Sequence, residues 1–171
     1  MRRTSSFILA AAASLLLLGC ASDLATVPNE SAQSLRASLS ASLSPNRNLE
    51  IILRGAGFGL VKFRQPKDEE AIVYLDTWVR DLAPNTDFQL QRATDPVIDD
   101  LCTGTNWLSL GQGLTPHAIT TDEKGTGREA LSRNLGAVPP GSAFDIHFRV
   151  IEQATQAVVL ESSCYQFVVS L

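Results

Sequence analysis

The feature that most constrains the fold is a strict two-residue alternation of side-chain character over residues 71–80. Apolar side chains and one threonine fall on one face, and polar or aromatic side chains fall on the other: Val73, Leu75, Thr77 and Val79 against Tyr74, Asp76, Trp78 and Arg80. Successive side chains of a β-strand point to opposite faces, so this period predicts a strand with one buried face. Residues 144–150 repeat it, with Phe144, Ile146, Phe148 and Val150 opposite Asp145, His147 and Arg149, which are expected to face solvent.

Short β-type segments follow one another along the rest of residues 49–171. They are separated by turn-forming residues, and they lie at 49–54, 60–63, 88–90, 107–110, 119–121, 126–135, 157–160 and 165–169. No long stretch of the sequence carries the 3.6-residue period of an amphipathic helix. About seven or eight of these segments are expected to be strands, and short strands with turns every 8–12 residues are typical of sandwiches and barrels. The sequence therefore predicts an all-β fold, a single antiparallel β-sandwich over residues 49–171.

The first 19 residues have the features of an export signal. Arg2 and Arg3 give a positive start, and residues 7–18 are an unbroken run of apolar and small side chains. That run is shorter than the roughly 20 residues needed to span a bilayer. The pattern predicts an exported protein whose signal peptide, residues 1–19, is removed.

The end of this segment resembles the lipobox of bacterial lipoproteins. The run closes with Gly19 and Cys20, and Leu17 stands three positions before the cysteine. The resemblance implies that Cys20 becomes lipidated and is the first residue of the mature protein. The alternative is an ordinary signal peptide, cut after Ala13 or Ala21.

A lipid anchor would place the protein in the bacterial cell envelope, because two or more acyl chains hold a protein firmly on a membrane. Ala21 stands where an aspartate would imply retention at the inner membrane, so the resemblance implies the outer membrane if the organism is Gram-negative. Residues 20–48, rich in Ala, Ser and Leu, are expected to form a flexible tether between lipid and domain. A narrow helical stripe of Leu35, Leu39 and Leu43 is the alternative within it.

The charge balance excludes one class of partner. The formal net charge is −4, and removal of Arg2 and Arg3 with the signal would leave 12 basic against 18 acidic residues. Nucleic-acid binding requires clustered positive charge, so no nucleic-acid partner is expected.

Two cysteines remain after lipidation, Cys102 and Cys164. The compartment of exported proteins is oxidising, so a disulfide between them is expected. A reactive thiol pair is the alternative, but the two lack Cys-x-x-Cys spacing and an adjacent cationic activator.

The order of features over most of residues 51–169 resembles the copper/zinc superoxide dismutase-like sandwich. The resemblance is carried by the glycine-spaced segment 53–63, the corner 82–86, the strand 88–91, Cys102 in a long loop, the turn 119–125, the strand 144–147 and Cys164 near the end. It implies a Greek-key sandwich, superoxide dismutase-like or immunoglobulin-like, in which Cys102 and Cys164 form the family's disulfide.

The family's catalytic residues do not carry over to this sequence. Its His-x-His copper pair would lie at Gln89 and Gln91, and only His147 matches a ligand position. A redox copper site needs several imidazoles, and the chain has two histidines, His117 and His147. The resemblance therefore implies a relative without cofactor or enzymatic activity, used for binding or structure. A metal-binding remnant built on the two histidines and the acidic loop 95–102 is the alternative.

Tyr74 and Trp78 share the predicted outer face of their strand and are the candidate ligand or partner face. Exposed aromatic rings can stack on a sugar or anchor a protein; covering loops are the alternative. The sequence thus predicts a membrane-anchored envelope lipoprotein with a non-catalytic binding or structural β-sandwich. A metal-binding protein and a carbohydrate-binding module are the other candidates, and an envelope protein or a glycan is the candidate partner.

Overall fold

The computed structural model of the protein describes residues 48–66 and 70–170, so the predicted signal peptide, Cys20 and nearly all of the tether lie outside the described residues. The described strands, in chain order, are β1 (Asn48–Gly55), β2 (Phe58–Arg64), β3 (Ile72–Arg80), β4 (Asp87–Asp95), β5 (Leu108–Ser109), β6 (Gly111–Gln112), β7 (Thr115–Pro116), β8 (Ile119–Thr120), β9 (Gly127–Asn134), β10 (Ala143–Glu152), β11 (Val158–Ser162) and β12 (Tyr165–Val168). The all-β prediction is confirmed. No helix in this part of the chain is long and apolar enough to cross a membrane.

Hydrogen bonds link the strands in the order β5-β4-β10-β11-β1-β2-β3-β9-β6-β7, while β12 pairs with β10 and β8 with β4. The first layer contains β1, β2, β3 and β9, and the second contains β4, β10, β11 and β12. The layers are joined where β1 pairs with β11, with Leu53 opposite Ser162. The predicted antiparallel sandwich is confirmed, with one parallel contact where Gln112 of β6 meets Ser132 of β9.

A short segment, residues 108–112, crosses between the free edges of the two layers. Its first half is β5 on the edge of β4, and the Leu110 N–H donates to the Leu90 carbonyl at 2.8 Å. Its second half is β6 on the edge of β9, where the Gly113 N–H donates to the Ser132 carbonyl at 3.0 Å. The sandwich is therefore nearly a closed barrel, and both layer edges have backbone partners here.

Aromatic rings from both layers meet in the core. The Phe63 ring of β2 lies edge-on to Phe167 of β12 and Phe148 of β10, with ring centroids 4.8 and 6.3 Å away. All three side chains are buried. The inner face predicted for β3 is also buried as expected, at Val73, Leu75, Thr77 and Val79.

The polar face of β10 is covered. The expectation that Asp145, His147 and Arg149 face solvent was therefore wrong. Asp145 is 0% exposed, because the segment 96–107 between β4 and β5 folds over this face. The Asp145 Oδ2 atom accepts hydrogen bonds from the Asp99 and Asp100 N–H groups at 3.0 and 2.9 Å. The predicted disulfide is present in the structure, and it fastens this segment by joining Cys102 to Cys164.

Candidate functional site

His147 lies under the same segment, half-buried rather than on an open surface. Its ring stacks on Trp107 with centroids 4.5 Å apart, and its Nε2 atom lies 3.0 Å from the Gly104 carbonyl oxygen. The Arg149 guanidinium lies 4.0 Å from the centre of the Trp107 ring. The sequence-based expectation of a solvated or salt-bridged surface histidine was therefore wrong, because a distant loop supplies its neighbours.

Gln89 and Gln91, which the sequence resemblance matches to copper ligands, belong to a hydrogen-bonded network. The Gln91 side-chain Nε2 donates to the Ser109 hydroxyl at 3.0 Å, and that hydroxyl donates to the Gln89 side-chain Oε1 at 3.1 Å. Arg149 Nε donates to the Gln91 side-chain Oε1 at 2.8 Å. These amide and hydroxyl groups hydrogen-bond to one another, and the Arg149 guanidinium hydrogen-bonds to one of the two amides. The donor set does not fit a redox copper ion, which requires imidazoles.

The acidic loop uses its carboxylates to hold its own backbone. Asp95 accepts hydrogen bonds from the Thr103 hydroxyl and the Val97 N–H, at 2.6 and 3.2 Å. The first of these is the main cause of the lowered pKa of Asp95, and the second adds to it. Within the described ranges no three His, Cys, Asp or Glu side chains are grouped so that they could hold a metal ion.

His117 has a different neighbour from His147. It follows β7, and its Nε2 atom lies 3.6 Å from a carboxylate oxygen of Glu129 on β9. Both side chains are partly exposed, so this is an ordinary surface contact worth little to stability.

The outer face of β3 carries the two aromatic residues that the alternation assigns to it. Tyr74 is 39% exposed and Trp78 is half-buried. Trp78 meets the edge of Phe58 from β2 at 5.9 Å between centroids. The Arg80 guanidinium lies 4.9 Å from the Phe58 ring centre and 5.6 Å from that of Trp78. Cation–π contacts of this kind hold the rings in place at the surface.

A shallow groove of about 340 Å³ runs across this outer face, and we call it the Trp78 groove. It is lined by Leu60, Lys62, Asp76, Trp78 and Arg128, from three neighbouring strands. The strand register explains the grouping, because Leu60 and Arg128 both lie opposite Trp78 and Lys62 lies opposite Asp76. Tyr74 shares the face but does not line the groove.

A bidentate ion pair forms one wall of the Trp78 groove. Arg128 donates from Nε and Nη2 to the two carboxylate oxygens of Asp76 at 3.0 and 2.7 Å. This hydrogen bonding lowers the pKa of Asp76, so its carboxylate stays charged at neutral pH. The groove therefore combines an indole face with fixed charges of both signs.

Sequence reasoning named Trp78 but missed Leu60, Lys62 and Arg128. Alternation assigns each to a face of its own strand, yet only the pairing register of β2, β3 and β9 brings them together. A scan against protein-family models and a search of curated proteins both find no match for this chain. The geometry of the Trp78 groove is therefore the feature of the molecule that indicates a function.

Proposed function

We propose that this chain is a lipid-anchored protein of the bacterial cell envelope whose β-sandwich is a non-catalytic binding module. The observation that carries the proposal is the Trp78 groove, in which an aromatic face lies beside the Asp76–Arg128 ion pair and Lys62. The non-catalytic part is supported by the Gln89, Ser109 and Gln91 network, whose donors are used within the protein.

The chemistry of the groove suits a carbohydrate. An indole face and the neighbouring Leu60 can cover the apolar C–H face of a sugar ring. Asp76 accepts hydrogen bonds, while Arg128 and Lys62 donate them, and sugar hydroxyls do both. The groove volume falls in the range of small-molecule sites, roughly 300–1,000 Å³. A glycan of the envelope is the ligand we propose.

Replacing Trp78 with alanine should abolish most of this binding. Truncation of a central aromatic anchor weakens the binding free energy by about 2 kcal/mol, which corresponds to a roughly thirty-fold higher Kd. The measurement is a binding isotherm of the full chain against isolated peptidoglycan and outer-membrane polysaccharide. The matched control is Trp107→Ala, which removes the other tryptophan, in the segment that covers β10.

The melting temperature of each variant separates lost binding from lost folding. Trp78→Ala is expected to stay folded and to melt a few degrees below wild type, because it loses the contacts with Phe58 and Arg80 but no core side chain. Glycan affinity that survives Trp78→Ala would refute the groove as the binding surface. If no glycan binds and a crosslinker placed at Lys62 captures one envelope protein, the ligand is a protein rather than a glycan.

Lipidation at Cys20 is tested by Cys20→Ser. The wild-type chain is expected to incorporate radiolabelled palmitate and to lose residues 1–19. The variant should do neither, because the lipoprotein modification requires the thiol. Ala21→Ser is the matched control and should keep the label. A wild-type chain that is cut after Ala13 or Ala21 and carries no label would contradict the lipid anchor.

A further inference from the structure

A small cavity lies between the two layers, on the opposite side of β3 from the Trp78 groove. Its volume is about 40 Å³, slightly more than the roughly 30 Å³ that one water molecule occupies in the liquid. Buried aromatic and aliphatic side chains form most of its wall, among them Phe63, Leu75, Phe148 and Phe167. Such a space takes one or two carbon groups of a ligand.

Two arginines line this apolar cavity. Arg133 lies opposite the buried Val73 in the β3–β9 register, and Arg92 follows the buried Leu90 by two residues on β4, so both belong to inner faces. Both are half-buried. We call them the inner arginine pair.

The inner arginine pair has few protein partners. Arg92 Nη1 donates to the Thr94 hydroxyl at 3.2 Å, and Arg133 Nη1 reaches the Gly113 carbonyl oxygen at 3.5 Å. Among residues 48–66 and 70–170, no carboxylate lies within salt-bridge distance of either guanidinium. Each guanidinium carries five N–H donors, so most of them remain for another molecule.

Two like charges beside an apolar cavity are unfavourable without a counter-ion. Burial, and after it the charge of Arg133, lowers the pKa of Arg92. Both stay protonated in water, because arginine does not lose its proton in proteins. An anion between them would remove the repulsion, and the planar fork of arginine matches a carboxylate.

We infer that the inner arginine pair and the adjoining cavity form a binding site for a small aliphatic carboxylate. Its carboxylate is held by Arg92 and Arg133, and its hydrocarbon end enters the space beside Phe63 and Phe148. The cavity takes the last one or two carbon groups of the chain, so the acid has about three or four carbons in all, the carboxyl carbon included. This site is separate from the Trp78 groove, and the inference does not depend on the proposed function.

The test is saturation-transfer NMR on the methyl protons of butyrate, with the full chain in a non-ionic detergent. Wild type is expected to bind butyrate, whereas Arg92→Met and Arg133→Met should each weaken the Kd at least ten-fold. Methionine keeps a long apolar stem and removes only the guanidinium group. Arg64→Met is the matched control, because Arg64 is an exposed arginine of β2 outside the cavity lining, and it should leave the Kd unchanged.

Two further ligands test separately the role of the negative charge and the role of the hydrocarbon chain. Butylammonium has the same hydrocarbon chain and the opposite charge, and it should not bind. Inorganic phosphate lacks a hydrocarbon chain and should bind at least ten-fold more weakly than butyrate. Phosphate that binds as well as butyrate would overturn the role of the cavity.

The melting temperature tests whether the inner arginine pair has only a structural role, in which case each methionine variant would melt below wild type. Removing one of two repelling charges should leave the melting temperature of Arg92→Met or Arg133→Met equal to wild type or higher, and butyrate should raise it only in wild type and Arg64→Met. Equal butyrate affinity in all four proteins, or an equal loss in Arg64→Met, would overturn the site.

Discussion

Replacing Phe63 with alanine is expected to lower the free energy of unfolding by about 3–5 kcal/mol. The ring is 3% exposed and belongs to the first layer of the sandwich. Its two ring contacts, to Phe148 and Phe167, reach strands of the second layer. The small cavity already adjoins these rings, so truncation would enlarge an existing void that the neighbours cannot close.

Urea denaturation of the full chain, followed by tryptophan fluorescence, measures this loss. Phe58→Ala is the matched control, because Phe58 lies on the outer face beside Trp78 and Arg80. We expect the control to lose about 1 kcal/mol, the size of an aromatic or cation–π contact. Equal losses in the two variants would mean that the inter-layer rings do not determine stability.

The faces of individual strands were predictable because a two-residue period depends only on neighbours in the chain. The inner and outer faces of β3 follow the alternation around Val73 and Trp78 without exception. The pairing of Cys102 with Cys164 was predictable for a similarly simple reason. Because the sequence predicts an exported chain that is lipidated at Cys20, these are the two thiols expected to pair in an oxidising compartment.

Burial by a distant segment was not predictable from periodicity. Asp145 and His147 alternate with apolar residues as solvent-facing side chains do, yet residues 96–107 cover them. That cover depends on a disulfide and on hydrogen bonds between residues more than 40 positions apart, which no local window contains.

The inner arginine pair left a signal in the sequence that a strict period-two interpretation would have found. Phe88, Leu90 and Arg92 stand at successive inward positions of one strand, so the arginine continues an apolar face. Arg133 likewise follows Leu131 by two residues. Neither observation shows that the two arginines meet, because β4 and β9 lie in different layers and only the folded sandwich brings them to one cavity.

Replacing both Cys102 and Cys164 with serine is expected to lower the free energy of unfolding by about 4 kcal/mol. The two cysteines are 62 positions apart, and the entropy lost by closing a loop of that length in the unfolded chain gives this magnitude. The double variant is preferred because a single one would leave a free thiol. Reduction of the wild-type protein should produce the same loss in a urea titration, and a loss below about 1 kcal/mol would contradict the loop-closure argument.

Amide hydrogen exchange of the double variant shows which part of the protein loses stability. The Asp99 and Asp100 N–H groups bind Asp145, and the disulfide holds their segment in place. Without it, these two amides should exchange faster than those of β10 beneath them, because the segment can open while the strand stays paired. Asp145 would then be hydrated, which offsets part of the lost bonding. Uniform acceleration over the segment and β10 would mean instead that the covering segment and the sandwich unfold as one unit.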